Sequence, residues 1–234
     1  MITGHRGAAA LAPENTLISI QKAAEAGVSW VEIDTQLSAD GIPVVFHDET
    51  VNRCTDGKGN IADLTLAQLK SLDAGSWFST EFSKEKIPTL SEVLDTCLAH
   101  DLTLNLELKI HHDEHTAPLV NAVVALIKEK AFPIEKLLFS SFQKRALELC
   151  QQQMPEVRRG FICEVWNDYS LTSIAASQPY SVHIDHRILT PAIAKSIKDS
   201  GYVLNIWTLN KADKAQHFFD MGVDNIITDA PDRY

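Results

Sequence analysis

The sequence WVEIDTQLSADGIPVVFH, residues 30–47, sets the architecture of the chain. Apolar and acidic residues alternate over Val31–Asp34, which is the period of a β-strand with two different faces. Six residues, SADGIP, separate this run from a second apolar run, VVFH. A parallel crossover needs about a dozen residues or more, and Asp-Gly is a strong turn signal, so the two runs are predicted to form an antiparallel hairpin.

Short β-rich runs alternate with helical patterns along the rest of the chain. Strands are predicted over Ile2–His5, Trp30–Leu37, Val44–His47, Leu102–Leu108, Leu137–Ser140, Arg159–Ile162, Ser181–Asp185, Val203–Thr208 and Asn225–Thr228. Helices are predicted over Glu14–Ala26, Leu90–His100, Ala117–Lys130, Gln143–Gln153, Leu171–Ala176, Pro191–Asp199 and Asp213–Met221. Regular βα alternation indicates parallel strands wrapped by helices. Because the second arm of the hairpin is an accessory strand, eight strands remain, and these predict an α/β fold of the (β/α)8 TIM-barrel type.

One segment, approximately residues 48–88, breaks this rhythm. It contains a short helical pattern over Leu66–Leu72 and an aromatic cluster of Trp77, Phe78 and Phe82. A structureless loop of this length is improbable in a compact domain. We therefore predict a single domain over residues 1–234, with a small subdomain inserted on the rim after the second barrel strand.

Composition restricts the compartment and the partners. The chain has 234 residues and a formal net charge of −10, which disfavours a duplex nucleic acid as partner. No apolar run is long enough to cross a bilayer, so no stable membrane insertion is expected. The four cysteines are widely spaced without a CxxC pair, which favours free thiols over structural zinc. The start lacks the features of a signal peptide, so a cytoplasmic location is predicted unless processing removed a leader. Nothing in the sequence indicates an oligomeric state.

Three carboxylates are predicted to meet inside the barrel. Glu32 and Asp34 share one strand face, about 6–7 Å apart along the strand. In LNLELK (residues 104–109), the same alternation turns Glu107 inward. Inward carboxylates repel one another and are costly to bury unless a cation lies between them. Three carboxylates with water or substrate oxygens suit Mg²⁺ or Ca²⁺ better than zinc. An antiparallel strand with a solvated face is the alternative interpretation of the first pair.

The hairpin also predicts the position of a histidine. A two-residue turn at Asp40-Gly41 would place His47 opposite Asp34, with Cβ atoms about 5 Å apart on the same face. A slip of one residue would move the histidine to the other face. We therefore predict that His47 returns to the carboxylate cluster.

Further polar residues are expected at the same end of the barrel. His5 and Arg6 follow the first predicted strand directly. Lys109 stands beside Glu107, where it either binds an anion or merely neutralises that carboxylate. Trp207, in NIWTL, faces inward and either packs the core or forms a wall for substrate. Active sites of such barrels lie at the carboxyl ends of the strands.

These residue types together suit attack on a phosphodiester. Two histidines can serve as acid and base near neutral pH, and a carboxylate-bound hard cation can neutralise an oxyanion. Arg6 and Lys109 add anion-binding charge. No glycine-rich P-loop is present, which disfavours transfer of a nucleotide phosphate.

The motifs HRG…PENT, VEIDTQLSADGIPVVFHD, IPTLSEVL, LNLELK, IWTLN and DAPDRY resemble, in that order, the glycerophosphodiester phosphodiesterase family. The resemblance covers nearly the whole chain. It implies a TIM barrel with a small inserted subdomain and hydrolysis of glycerophosphodiesters, such as glycerophosphocholine, to sn-glycerol 3-phosphate and an alcohol. It also implies site residues: an acid–base pair (His5, His47), ligands of a divalent metal, Mg²⁺ or Ca²⁺ (Glu32, Asp34, Glu107), and phosphate-contacting cations (Arg6, Lys109). We add Trp207 as a candidate substrate-binding residue.

Two alternatives remain at this point. A phospholipase on a similar barrel would act on membrane lipid phosphodiesters, and the acidic charge disfavours it. A non-catalytic phosphate-binding module would have no need of both histidines and all three carboxylates.

Overall fold

The computed structural model describes all of residues 1–234. The strands are β1 (Ile2–Gly4), β2 (Trp30–Leu37), β3 (Pro43–Val45), β4 (Thr103–Leu108), β5 (Leu137–Ser141), β6 (Arg158–Cys163), β7 (Ser181–Asp185), β8 (Val203–Trp207) and β9 (Asn225–Thr228). The α-helices are α1 (Leu17–Glu25), α2 (Leu66–Ser71), α3 (Leu90–Ala99), α4 (Thr116–Glu129), α5 (Lys144–Gln153), α6 (Asp168–Ser177), α7 (Pro191–Asp199) and α8 (Ala215–Asp220).

The strands form one closed sheet with a single appendage. Neighbours follow the order β1-β9-β8-β7-β6-β5-β4-β2, and a parallel pairing of Gly4 with Val31 joins β1 to β2. Strand β3 pairs only with β2, in the antiparallel sense. The predicted TIM barrel with one accessory strand is therefore confirmed.

The outer faces of the barrel strands make the main core. Val31 and Ile33 on β2, with Leu104 and Leu106 on β4, are fully buried in a cluster formed with the flanking helices. The alternation seen in the sequence thus has its expected meaning, because apolar side chains turn outward to the helices and polar ones turn into the barrel.

The interior of the barrel is unusually polar. His183 on β7 is buried, and its Nε2 lies 2.8 Å from Ser181 Oγ and 2.9 Å from Asn205 Nδ2. Gly160 on β6 makes room for this ring, since a Cβ atom there would lie 2.5 Å from His183 Nε2. Burial lowers the pKa of His183 to about 3, so the ring is neutral in the folded protein.

The register of the β2–β3 hairpin differs from the prediction by one residue. Thr35 pairs with Val45 and Leu37 with Pro43, so Asp34 lies opposite Phe46 rather than His47. The loop holds three residues instead of two, because Ser38 pairs with Ile42 and Gly41 adopts a left-handed conformation with φ of 77°. Three-residue loops of this kind end in a left-handed residue, which suits glycine.

Some predicted element boundaries were also wrong. Helix α1 begins at Leu17 rather than Glu14, with Thr16 as its N-cap. Asn15 has φ of 59°, which is outside the helical region, so the helix cannot extend back through it. Strand β3 ends at Val45 instead of His47.

The segment 48–88 folds over the accessory strand. It contains α2 and two short 3₁₀ turns, at Ile61–Asp63 and Thr80–Phe82. Its buried side chains form a small cluster of their own with residues of the hairpin: Val44, Phe46, Val51, Cys54, Ile61, Leu69, Ala74 and Ile87.

Candidate active site

A cavity of about 430 Å³ lies at the carboxyl ends of the barrel strands. Several strands end at this rim and bring a site residue to it. His5 follows β1, Glu107 lies near the end of β4, and Trp207 ends β8. The cavity is lined by most of the predicted site residues: His5, Arg6, Glu32, His47, Glu107, Lys109 and Trp207.

The three predicted metal ligands form one buried cluster. Glu32, Asp34 and Glu107 each offer a carboxylate oxygen, and these atoms lie within 4.8 Å of one another. Glu32 Oε2 accepts a hydrogen bond from the backbone N–H of Arg6 at 3.1 Å. Its other oxygen, Oε1, is buried without a hydrogen-bond partner. A buried carboxylate oxygen without a donor is costly and marks a place for a cation.

The pKa values of the cluster support the same conclusion. Burial and the nearby charges of Asp34 and Glu107 raise the pKa of Glu32 well above its usual value. Burial likewise raises the pKa of Glu107, with Lys109 opposing this shift. A divalent cation would relieve the repulsion and favour the ionised forms. The residues present therefore fit a hard cation bound by oxygen ligands.

Asp34 is the best-compensated member of the cluster. Its Oδ2 accepts a hydrogen bond from Asn15 Nδ2 at 2.9 Å, and the Asp34 backbone N–H donates to Asn15 Oδ1 at 3.2 Å. Lys109 Nζ lies 3.3 Å from its Oδ1, and Arg6 Nε lies 3.5 Å from its Oδ2. Burial alone would raise the pKa of Asp34, but Lys109 and Arg6 outweigh it and hold the pKa far below its usual value. Asn15 thus holds Asp34 through one bond to its carboxylate and one from its backbone N–H.

Lys109 pairs with a carboxylate and also faces the cavity. Its Nζ donates to Glu107 Oε1 at 2.8 Å and lies 5.5 Å from the centre of the Phe142 ring. The two roles that the sequence left open are therefore compatible, because the ammonium group neutralises Glu107 while it lines the cavity.

A half-buried carboxylate orients the ring of His5. His5 Nδ1 donates to Asp229 Oδ1 at 2.6 Å, and Asp229 Oδ2 accepts a bond from Asn210 Nδ2 at 2.6 Å. The other ring nitrogen, Nε2, lies 3.8 Å from Glu32 Oε2. A histidine held at Nδ1 by a carboxylate presents Nε2 in a fixed direction. Here that direction is toward the carboxylate cluster.

His47 is held in the same way by its sequence neighbour. Its Nδ1 lies 2.7 Å from Asp48 Oδ1. Burial lowers the pKa of His47, and the charge of Asp34 partly opposes this shift. The hairpin register that led to His47 was wrong, but the residue still lines the cavity because the chain leaves the strand after Val45 and turns toward the rim.

Arg53, from the inserted segment, links the surroundings of His47 and Arg6. Its Nε donates to Asp48 Oδ2 at 2.7 Å, and its Nη1 donates to Glu14 Oε2 at 2.8 Å. Glu14 in turn accepts a bond from Arg6 Nη1 at 2.5 Å. Bonds from Arg53 lower the pKa of Asp48. One guanidinium group therefore supports the partner of His47 and the partner of Arg6.

Comparison with known proteins identifies the chain. The sequence profile of the glycerophosphoryl diester phosphodiesterase family matches residues 5–233. This chain belongs to that family.

Similar proteins match this chain over nearly their whole lengths. A glycerophosphodiester phosphodiesterase of Caldanaerobacter subterraneus subsp. tengcongensis is 33% identical over 99% of this chain and 95% of its own. A phosphodiesterase of Oleispira antarctica, solved in complex with the product sn-glycerol-3-phosphate, is 36% identical with a TM-score of 0.94, covering 100% of this chain and 94% of that one. A glycerophosphodiester phosphodiesterase of Thermotoga maritima is 30% identical with a TM-score of 0.78, covering 99% and 95%. The chain is a phosphodiesterase enzyme.

Trp207 is a wall of the cavity in this phosphodiesterase. Its Nε1 donates to the backbone carbonyl of His183 at 3.1 Å, and its ring meets Phe142 edge to face at 5.7 Å. The indole N–H is therefore satisfied inside the barrel while the ring borders the cavity.

No helix of the chain is both long and apolar enough to cross a membrane.

Sequence reasoning missed the residues that support the site of the phosphodiesterase. Asp229 is the first residue after β9, and β9 pairs with β1, so closure of the barrel places it beside His5. The order of strands in a closed barrel was the signal that could have found it. Glu14 and Asn15 lie in the PENT motif of the resemblance, but the motif alone does not show which side chains they contact, and Arg53 carried no signal, since these contacts depend on loop conformation.

Proposed function

We propose that the protein hydrolyses glycerophosphodiesters, such as glycerophosphocholine, to sn-glycerol 3-phosphate and an alcohol, with a divalent metal and two-histidine acid–base catalysis. The observation that carries this proposal is one cavity shared by two carboxylate-held histidines, two cations and a buried triad of carboxylates. The Oleispira antarctica relative, which binds sn-glycerol-3-phosphate as product, supports the same substrate class.

Glu32, Asp34 and Glu107 would hold the metal, either Mg²⁺ or Ca²⁺, since both prefer oxygen ligands. When bound, such an ion neutralises charge on a phosphate oxygen and so favours attack at phosphorus. The unpartnered Oε1 of Glu32 and the raised pKa values of Glu32 and Glu107 support this assignment.

His5 and His47 form the acid–base pair in this proposal. One histidine takes the proton of a glycerol hydroxyl as that oxygen attacks phosphorus, and the other gives a proton to the departing alcohol oxygen. Water then opens the resulting cyclic phosphate, and the two histidines exchange tasks to give sn-glycerol 3-phosphate. Asp229 and Asp48 hold the rings at Nδ1, which leaves Nε2 for these transfers.

The remaining site residues bind substrate. Arg6 and Lys109 supply positive charge for the phosphate, and the electrostatic surroundings keep both protonated: burial opposes the charged forms, but nearby carboxylates outweigh it and raise both pKa values. Trp207 gives the glycerol arm an apolar wall.

We further propose that residues 1–234 act as one domain, with approximately residues 48–88 as a rim insertion. Support comes from the closure of the barrel by β1, which pairs with both β2 and β9. We also propose a cytoplasmic location, which agrees with four buried cysteines that form no disulfide.

The test is release of sn-glycerol 3-phosphate. The protein is first treated with a chelator, and release is then measured from glycerophosphocholine with Mg²⁺, with Ca²⁺ and with no added metal. We expect release only when metal is returned. No release from glycerophosphocholine under any condition would contradict the proposed function, and full release in the presence of chelator would contradict its metal dependence.

A second substrate separates the phospholipase alternative. Phosphatidylcholine vesicles are offered under the same conditions with release of choline as the readout for both substrates, because cleavage of the lipid diester leaves the acyl chains on the glycerol and gives no free sn-glycerol 3-phosphate. We expect the rate of choline release to be far below that for glycerophosphocholine. Release from vesicles alone would assign the protein to membrane lipid phosphodiesters.

A further inference from the structure

A second cavity adjoins the candidate active site. It measures about 430 Å³ and shares His5 and Arg6 with the first cavity. Its other walls come from the loop after β1, the rim insertion and the loops after β8 and β9. His5 and Arg6 therefore form a common wall between two spaces, and the second space has no role in the reaction as described so far.

Aromatic rings of the insertion line this second cavity. Trp77 and Phe78 meet edge to face, with ring centres 5.8 Å apart. Trp77 Nε1 donates to the carbonyl of Ala74 at 2.9 Å, which fixes the indole, while the side chain stays 38% exposed. Ala9 and Ala10 add small apolar surface to the lining. The cavity thus offers aromatic and methyl contacts within reach of His5.

The carboxylates of the second cavity are already engaged, and the guanidinium of Arg233 is the charged group of the lining that has no side-chain partner. Asp229 binds His5 through one oxygen and Asn210 through the other. Glu14 is bonded at both oxygens, by Arg53 and Arg6. These two carboxylates therefore have little capacity left to accept from the hydroxyls of a polyol, and a hydroxyl left unpaired there would be costly.

The charge of the cavity is mixed, with two carboxylates and two arginines in its lining. Glu14 and Asp229 contribute negative charge, and bonds from their partners overcome burial and lower the pKa of each. Arg6 is turned toward Asp34 and Glu14, and Arg233 lies at the exposed end of the chain. An ammonium group against Trp77 would gain a cation–π contact that a neutral polyol lacks.

A diester needs two spaces on the two sides of its phosphorus. His47, Lys109 and the two carboxylates Glu32 and Glu107 line the first cavity and not the second. The phosphoryl group therefore belongs in the first cavity. The first cavity also presents the carboxylate of Glu164, which can bind glycerol hydroxyls. The other arm of the diester would then pass His5 into the second cavity.

We infer that the second cavity, walled by Trp77 and Phe78, is the subsite for the departing alcohol and that it selects choline-type alcohols over polyols. This inference rests on the proposed function and adds the substrate class to it. Trp77 and Phe78 are specificity-determining residues that contact the alcohol arm and take no part in proton transfer.

The experiment compares Trp77→Ala and Phe78→Ala with the parent protein. The values of kcat/KM are measured for glycerophosphocholine, glycerophosphoinositol and the methyl ester of sn-glycerol 3-phosphate. Each variant loses one aromatic ring and its cation–π contact with the alcohol. The ratio of kcat/KM for glycerophosphocholine to kcat/KM for the methyl ester should therefore fall by about tenfold. Trp77→Phe keeps an aromatic wall and should restore most of the ratio. Ala9→Leu keeps both aromatic residues but fills part of the same cavity, so it should lower the ratio as well.

Two further measurements locate the arms. Inhibition by sn-glycerol 3-phosphate reports on the first cavity, so its inhibition constant should change less than about twofold in Trp77→Ala, since no contact of the product is removed. Tyr169→Ala removes an aromatic ring that is 58% exposed and lines neither cavity, and it should leave the ratio unchanged.

Several results would overturn the inference. An equal loss on all three diesters, or a parent that prefers glycerophosphoinositol to glycerophosphocholine, would show that the cavity does not select choline-type alcohols. A tenfold weaker inhibition by sn-glycerol 3-phosphate would place the glycerol arm there instead. If the parent hydrolysed none of the three diesters, the proposed function itself would fail, which is a different outcome from a changed ratio.

Discussion

At the residue scale, the site depends on carboxylate and amide side chains that hold other side chains in place. Asp229 and Asp48 each bind a histidine at Nδ1, and Asn15 binds Asp34 through two hydrogen bonds. Rings and carboxylates fixed in this way do not need to reorganise during the reaction. The chemistry we propose therefore follows from positions that the loops impose.

Removal of either histidine should remove acid–base catalysis. We expect His5→Ala and His47→Ala each to lower kcat by about 10²- to 10⁴-fold, because positioned proton transfer contributes this much. Circular dichroism and thermal melting should remain close to those of the parent. His100→Ala is the matched control, because His100 is exposed at the carboxyl end of α3 and lines neither cavity. Wild-type turnover in either site variant would remove that histidine from the mechanism.

Loss of one carboxylate should weaken metal binding. Removal of outer partners of a metal ligand costs about 10- to 100-fold in affinity, so Glu107→Gln, which removes a ligand charge, should cost at least as much. Isothermal titration with Ca²⁺ or Mg²⁺ measures this loss without reference to activity. Glu114→Gln, at an exposed carboxylate on the rim, should bind metal as the parent does. Unchanged affinity in Glu107→Gln would contradict the three-carboxylate site.

Arg53 should matter although it does not line the cavity. It donates hydrogen bonds to Asp48 and Glu14, so Arg53→Gln frees the partner of His47 and the partner of Arg6. We expect kcat to fall about 10- to 100-fold, with a smaller change in KM, because misplaced groups slow the chemical step. Arg145→Gln removes an arginine of an exposed ion pair on α5 and serves as control. An effect on KM alone would argue against a positioning role for Arg53.

Much of the site, but not its support, could be predicted from residues. The alternation of Glu32 and Asp34 with apolar neighbours, and of Glu107 in LNLELK, correctly placed three carboxylates inside the barrel. Asn15 and Arg53 were missed because their contacts depend on a left-handed backbone and on the fold of the insertion. Neither feature has a period that a sequence can display.

At the element scale, the hairpin shows how a turn governs a register. Asp40-Gly41 correctly predicted the hairpin, but the loop has three residues, so every pair along β2 and β3 shifts by one. Two- and three-residue loops share the same glycine signal, and the sequence alone does not separate them. His47 still reaches the cavity because β3 ends at Val45 and the chain turns there.

The turn itself can be tested through Gly41. A Cβ atom at this position would meet nothing within 4 Å, but φ is +77°. Gly41→Ala should therefore lower the free energy of unfolding by about 1 kcal/mol through backbone strain alone. Gly41→Asn should cost less, since asparagine tolerates this conformation better. Urea denaturation provides both values, and equal stability of Gly41→Ala and the parent would contradict the left-handed turn.

At the scale of the whole molecule, closure of the barrel creates both the site and a polar interior. Pairing of β1 with β2 and β9 brings the two ends of the chain together at the rim, where His5 meets Asp229. The same closure buries His183 among Ser181 and Asn205. The barrel could be predicted from βα alternation, whereas these contacts between distant strands required the closed structure.

Burial of His183 should make stability depend on pH. Its pKa is about 3 in the folded protein and near 6.5 when unfolded, so the unfolded chain binds more protons between these values. The free energy of unfolding should therefore fall as pH drops below 6.5, by up to about 1.4 kcal/mol per pH unit from this residue.

The variant His183→Gln isolates that contribution. Its amide oxygen can accept the bonds from Ser181 and Asn205, and it does not titrate. The pH slope of unfolding between pH 6.5 and 4.5 should be shallower in the variant than in the parent, while the exposed His100→Gln should keep the parent slope. Identical slopes in parent and His183→Gln would show that the ring is not kept neutral by burial.

The central claim is that one cavity holds a divalent cation, the phosphate and both histidines together. The most direct test is a crystal structure of the protein with Mn²⁺ and sn-glycerol 3-phosphate, with diffraction data collected at a wavelength where Mn²⁺ scatters anomalously. We predict one strong anomalous peak bound by Glu32, Asp34 and Glu107, with the phosphate beside it and within reach of His5 and His47. A cation bound elsewhere with the three carboxylates free of metal, or a phosphate outside this cavity, would contradict it.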